Sequence, residues 1–245
     1  MKIMSFNVKH IPLEDIFFLW KKRYEKVAEF IEHEKPDILG MQEITKKGKK
    51  FLEKKLSNYN IVGESRHSII FTNEYNPILI KKDYKILNSN TYSLYYNINK
   101  LCTKTKDDNF PRICVIAHIK KNDIKYMIVN THIDNSSFNN KKRLLNILKE
   151  IIETNQKSDE FVIIMGDYNM TIGNKNLLNF SKDFLNPFKD YKEGTFPSLP
   201  DIRPLDHIFI DKRLSFSCDK IHKNSNERYF LSDHNPISCL INEKK

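Results

Sequence analysis

Glycine and proline are scarce, with 6 and 9 among 245 residues. A flexible linker needs a run of such residues, and none is present. No low-complexity segment, composition shift or internal repeat interrupts the chain, so one compact domain over residues 1–245 is expected. Cysteine is also rare: four occur, at 102, 114, 218 and 239, with no CxxC pair and no Cys/His cluster of zinc spacing. That excludes a disulfide scaffold and a thiolate zinc site. Cys114 and Cys239 lie in apolar, strand-like runs and read as reduced buried thiols. No apolar run approaches the ~20 residues of a membrane span. The opening MKIMSFNVKH lacks the apolar stretch of about 7–15 residues that a secretory signal requires, because Asn7, Lys9 and His10 interrupt it. A cytoplasmic protein whose first strand begins at once is expected.

What is present is a core-forming composition and an excess of positive charge. Hydrophobic residues make up 40% and aromatics 11%, which excludes disorder as the default. The net charge is +10. Such a surface draws phosphate-bearing partners, nucleic acid foremost. The chain is also rich in Lys, Asn and Ile throughout, and that general bias explains the charge equally well. Both readings stand open at this point.

Residues 2–8 read as a short strand. Ile16, Leu19, Trp20, Tyr24, Val27, Phe30 and Ile31 then recur every three or four positions, which predicts a helix over 13–34 that Pro36 stops. Residues 37–41 form an apolar strand, and 46–57 a second amphipathic helix. Strands are expected at 68–72, 77–81, 112–119 and 124–131, the last two as a hairpin around Lys121, Asn122 and Asp123. A helix over 139–154 leads to a buried strand at 161–165, and strands at 205–210 and 235–241 close the chain. This pattern suggests mixed sheets covered by helices.

Polar residues recur where these strands meet loops. Asn7 ends the first strand, Glu43 the second, and His132 the strand YMIVNTH. Asp167 and Asn169 follow FVIIMG, Asp206 and His207 lead into IFI, and Asp233 and His234 precede NPISCLI. Rigid strands position side chains that loops expose, so enzyme sites are commonly assembled at such ends. Each residue alone has a plainer account: a turn residue, a solvated acid, a satisfied core histidine. GDYN at 166–169 fits a tight turn. It does not fit a calcium loop, since the sixth position is Ile172 and the twelfth Leu178 instead of Gly and Glu.

The joint order is more telling. SFNV, PDILGMQE, NEYNPI, FPRICV, NTHID, GDYN, LDHIFI and SDHNPI follow one another from residue 5 to 237. In that order they resemble the endonuclease/exonuclease/phosphatase superfamily, which includes pancreatic deoxyribonuclease, apurinic endonucleases, neutral sphingomyelinases and inositol-phosphate phosphatases. NEYNPI, TFPS and LDHIFI look like the pieces found in compact bacterial members. The resemblance implies an α/β fold, a four-layer α/β sandwich with two stacked mixed β-sheets flanked by helices. It implies a metal-dependent phosphoester hydrolase, either phosphodiesterase or phosphatase, with Mg²⁺ or Mn²⁺ as cofactor. The alternatives are a Mg²⁺-dependent deoxyribonuclease and an inactive relative that binds nucleic acid or phosphate.

By the same resemblance Glu43 is the principal metal ligand, with Asn7 and Asp233 binding directly or through water. His234 is the general base or a phosphate-oxygen partner, oriented by Asp206. Asp167 holds the attacking water, and Asn169 donates to a phosphate oxygen. His132 assists the leaving group, with Glu74 as its carboxylate partner, and Arg112 contacts the phosphate. Apurinic endonucleases carry Tyr where this chain has His132, which points toward the deoxyribonuclease, sphingomyelinase and phosphatase branches. The expected partner is a phosphoester substrate, with nucleic acid one candidate. The aromatic and basic segment 92–106 reads either as a substrate cover or as an ordinary strand and solvated loop.

Overall fold

The computed structural model describes residues 1–9, 20–66, 73–197, 204–223 and 231–242. In the first half these form β1 (Lys2–Asn7), α1 (Trp20–Glu34), β2 (Ile38–Gln42), β3 (Ile44–Thr45), α2 (Lys46–Lys55), β4 (Tyr59–Val62), β5 (Glu74–Tyr75), β6 (Ile78–Lys81) and β7 (Lys85–Ser93). In the second half follow β8 (Ile113–Lys121), β9 (Ile124–His132), α3 (Phe138–Asn155), β10 (Glu160–Asp167), α4 (Lys175–Ser181), β11 (Phe184–Leu185), β12 (Asp206–Asp211), β13 (Ser215–Ile221) and β14 (Ile237–Asn242). The strand expected at 68–72 and the first turns of the helix expected from 13 lie outside the described residues.

Two six-stranded sheets result, ordered β13-β14-β1-β2-β6-β4 and β11-β12-β10-β9-β8-β7. Both are mixed: β1 runs parallel to β2, and β9 parallel to β10, while their other neighbours are antiparallel. The alternation of side chains along each strand creates three apolar layers. Ile3, Ile38 and Ile80 of the first sheet face Val115, Ile128, Ile163 and Ile208 of the second. On the outer side of the first sheet, Met4, Phe6 and Leu39 pack under Tyr24, Val27 and Ile31 of α1 and Leu52 of α2. On the outer side of the second, Met127, Val129 and Ile164 pack under Leu144, Leu148 and Ile151 of α3 and Leu177 of α4. The architecture is therefore the four-layer α/β sandwich. Among the described residues no helix is long and apolar enough to cross a membrane.

The sheets approach closely beneath one end. A Cβ on Gly40 would stand 2.6 Å from Met165 Cγ and 2.7 Å from Asn130 Oδ1, so only glycine fits there. Asn130 is wholly buried between the sheets. Its amide donates to the carbonyls of Met41 (2.8 Å), Pro77 (2.9 Å) and Asn76 (3.1 Å), and its oxygen accepts from Gln42 Nε2 at 2.7 Å. This one side chain bonds β9 to β2 and to the chain entering β6.

Candidate active site

Strand register assembles one half of the site. Asp167, the last residue of β10, lies opposite His132 on β9 and opposite Asp206 on β12. Three polar side chains thus share one rung of the second sheet. Within β10 the residue just before Asp167 must be Gly166, whose φ is +152° and whose missing Cβ would collide with the Thr131 carbonyl. The other half comes from the first sheet, where Asn7 and Gln42 share the final rung of β1 and β2. Glu43 follows at φ +60°; Lys9 (+55°) and Asn169 (+49°) are likewise left-handed. Three such non-glycine residues around one cleft are backbone strain held by the surrounding packing.

Contacts join the halves. Asn7 Nδ2 donates to Glu43 Oε1 at 2.9 Å and to Asp167 Oδ2 at 3.0 Å, while its Oδ1 accepts from the Lys9 backbone at 2.9 Å. Asp167 Oδ2 lies 3.5 Å from His132 Nε2 and 3.7 Å from His234 Nε2, between two imidazoles. Asp167 Oδ1 accepts from the Asn169 backbone at 2.8 Å. His234 Nδ1 meets Asp206 Oδ2 at 2.8 Å, and the Phe196 ring stands edge-on to the imidazole at 5.0 Å. The Ser232 hydroxyl donates to the Asn7 carbonyl at 2.6 Å, tying the late SDHN segment to the first strand. Asp233 sits at the rim, 27% exposed, with Lys9 Nζ 3.5 Å away.

Electrostatics differ sharply between the two histidines. Burial opposes charge on His234, but the carboxylates of Asp206, Asp167 and Asp233 outweigh it and raise its pKa to about 10. His132 goes the other way: burial, then the guanidiniums of Arg112 and Arg66, hold it well below the ordinary range. Its Nε2 receives Asn169 Nδ2 at 3.2 Å, so the ring proton sits on Nδ1. Among the described residues that Nδ1 has no hydrogen-bond partner, and Glu43 Oε1 is 3.9 Å off. Asp167 is raised to about 7 by burial and by Asp206.

Glu74 is not the partner of His132. Its Oε1 meets Arg66 NH2 at 2.6 Å, and burial raises its pKa to about 7. A guanidinium satisfies a buried carboxylate better than a neutral ring does. Arg112 places Nε at 2.8 Å and NH2 at 2.7 Å from the same oxygen of buried Asp134. Asn7, Glu43, His132, Asp167, Asn169, Asp206 and His234 are thus brought into one contact network, with Asp233 at its rim. Glu74 and Arg112 stand beside it, each in its own ion pair. Arg66 lies in none of the motifs that carry the resemblance. Asp134 closes NTHID and Phe196 falls in TFPS, but the apolar pattern singles out neither, because single residues in loops match no periodicity.

Two donor sets can hold a cation. Ligand atoms of Asp167, Asp206 and His234 lie within 4.8 Å of one another, all three residues buried. Nδ1 of His234 is engaged by Asp206, however, and its Nε2 keeps a proton. The second set is at the rim. Glu43, whose side chain is 23% exposed, meets Asn7 Nδ2 at 2.9 Å, so the amide must turn its oxygen toward Glu43 before both can bind one cation. Asp233 stands partly exposed at the rim beside Lys9. Hard oxygen donors at an open rim fit a small divalent cation that keeps several waters.

Two helix-covered mixed sheets, with carboxylates, amides and imidazoles converging at one end, define the class of sandwich-fold phosphoesterases. The sequence profile of the Endonuclease/Exonuclease/phosphatase family matches residues 4–234, and the chain belongs to that family. Its members are hydrolases of phosphoesters that generally use a divalent metal. The uncharacterized protein L388 of Acanthamoeba polyphaga mimivirus is 27% identical, over 98% of this chain and all of that protein. Two solved structures share the fold. The mannosyl-6-phosphatase Bt3783 of Bacteroides thetaiotaomicron is 20% identical, with a TM-score of 0.88 over 99% of this chain and 100% of that one. D. rerio TDP2 complexed with single strand DNA product is 16% identical, with a TM-score of 0.76 over 99% of each chain.

Proposed function

We propose that the chain is a Mg²⁺- or Mn²⁺-dependent phosphoester hydrolase, with residues 1–245 as one catalytic domain. The observation that carries this reading is the position of the Asp167 carboxylate. It is buried, and it lies within 3.0 Å of Asn7 Nδ2, 3.5 Å of His132 and 3.7 Å of His234. Glu43, Asn7 and Asp233 would hold the divalent cation, which when bound would supply charge neutralisation at the phosphoryl and leaving oxygens.

The chain's own residues do the rest. Asp167 orients the attacking water and receives its proton. His234, kept protonated by Asp206, donates to a phosphoryl oxygen where negative charge grows. His132 offers its unpartnered Nδ1–H on the Glu43 side. Both N–H groups of Asn169 are occupied, by His132 and by the Ile133 carbonyl at 2.9 Å. Donation to substrate therefore replaces the weaker, 3.2 Å bond.

The test is turnover of bis-p-nitrophenyl phosphate, p-nitrophenyl phosphate and plasmid DNA, each with and without Mg²⁺. Metal-dependent turnover of either nitrophenyl ester supports the reading and separates diesterase from monoesterase. Cleavage of the plasmid alone identifies a deoxyribonuclease. Absence of metal-dependent turnover on all three sinks the proposal and leaves a binding protein.

A further inference from the structure

One helix carries a dense run of positive charge. Helix α2, KKGKKFLEKK, holds six lysines and one glutamate, a net +5 within a chain of net +10. Lys46, Lys47, Lys50, Lys54 and Lys55 are exposed. Gly48 explains why they face outward. A Cβ there would strike the Tyr24 ring, so α2 lies tight against α1 on that side, with Leu52 buried beside it.

The charges also run against the helix's own preference. The first turn of α2 has no acid and begins with Lys46 and Lys47, at the end where the macrodipole favours anions. Among the described residues Lys46, Lys47, Lys50 and Lys54 make no ion pair that would offset this. Only Lys49 pairs, with Glu53 at 2.6 Å. Lys46, Lys50 and Lys54 recur every fourth residue, so they form a line on one face with steps of roughly 6 Å.

The position of the line is informative. Thr45 caps α2 by accepting from the Gly48 amide at 3.1 Å, and Glu43 lies two residues before that cap. The row of lysines therefore begins at the lip of the candidate site and leads away from it. We propose that α2 is a docking track for the phosphate backbone of a nucleic-acid strand whose end or scissile ester occupies that site. This rests on the phosphoesterase reading and narrows its substrate class to polyanions. A lipid surface fits less well: among the described residues, none of the exposed large apolar side chains lies on α2, so nothing there inserts between headgroups.

The probe is a fluorescent single-stranded oligonucleotide, titrated in anisotropy with wild type and with the triple variant Lys46→Gln, Lys50→Gln, Lys54→Gln. Each lost phosphate contact lowers the salt slope by about 0.7, so the triple variant should flatten log K against log salt by about 2 and weaken binding at least ~10-fold near 0.1 M salt. Turnover of bis-p-nitrophenyl phosphate, too small to reach the helix, should stay unchanged, and an unchanged melting temperature confirms folding. Equal affinity and slope for both proteins would overturn the proposal. So would a loss confined to phosphatidylserine vesicles with oligonucleotide binding intact, which would assign α2 to a membrane. If wild type binds the oligonucleotide through α2 yet hydrolyses no ester, the docking surface stands and the phosphoesterase reading fails.

Discussion

The two imidazoles of the cleft sit within 4 Å of the same carboxylate, yet they are driven in opposite directions. His234 has a carboxylate bonded to its ring and gains a proton; His132 is held neutral by burial first, and then by two guanidiniums nearby. A proton-donating role for His132 toward the leaving group is thereby disfavoured, and a cation beside Glu43 would push the same way. His132→Ala is expected to slow esters with poor leaving groups and activated nitrophenyl esters alike, by on the order of 100-fold, as loss of one transition-state donor does. A loss confined to poor leaving groups would restore the acid role. Glu43→Gln removes the charged oxygen of the rim set and should cost on the order of 100-fold or more in activity together with most Mg²⁺ affinity. Calorimetry showing Mg²⁺ binding unchanged would move the metal to the Asp167–Asp206–His234 cluster.

At the scale of elements, the strands that run through the core were legible and those at its edges were not. Ile113–Lys121 and Ile124–His132 announce themselves by apolar alternation around a polar turn, and Asn122 and Asp123 take the positive φ that such a turn needs. Lys85–Ser93 pairs with the next strand across a register shift at Leu87, but it is an edge strand of mostly polar residues, KILNSNTYS, in which only Ile86 and Tyr92 lean on the core, too few to set an alternating pattern. Ser215–Ile221 is an edge strand too, broken by a bulge. The segment 92–106 is the end of one such strand and the loop beyond it. The site residues were legible because they end core strands. The His132–Glu74 pairing failed because Arg66 gives no periodic signal. Asn130 escaped notice for a related reason: an amide inside an apolar strand looks like noise until the opposite sheet is present. Asn130→Ala would take from Gln42 its shortest acceptor and remove a donor from the carbonyls of Met41, Asn76 and Pro77 between the sheets. It should cost about 2–4 kcal/mol. Because Asn130 fixes the spacing of the two half-sites, kcat should fall more than KM rises. A denaturation midpoint within ~1 kcal/mol of wild type would show that the sheets are held together by their apolar layer alone.

For the whole molecule, the buried histidines outside the reacting network contribute a loss of stability in acid. Burial lowers His207 to about 4, although the Met170 carbonyl, 2.9 Å from Nε2, works against that shift. Burial likewise lowers His222 to about 4 against the pull of Glu34. Above pH ~6.5 both rings are neutral whether the chain is folded or not. As pH falls below that value the unfolded chain binds protons that the folded chain refuses, so stability drops. The drop continues until the folded rings protonate near pH 4 and then stops. For His207 the full change is on the order of 3 kcal/mol. Carboxylates held low by ion pairs, such as Asp37 with Lys81 at 2.8 Å, lose stability only at lower pH, as they begin to protonate. Asp167 and Glu74 are raised to about 7, so as pH falls from 7 toward 4 the folded chain takes up protons there that the unfolded chain refuses, which works against the histidine loss. The histidine contribution is therefore read as a difference between proteins. His207→Gln, which keeps an N–H for the Met170 carbonyl, should be less stable than wild type at pH 7.5, and the gap in urea midpoint should narrow at pH 6.0 and again at pH 5.0. A gap that stays constant from pH 7.5 to 5.0 would mean that His207 takes up its proton in the folded state as readily as in water.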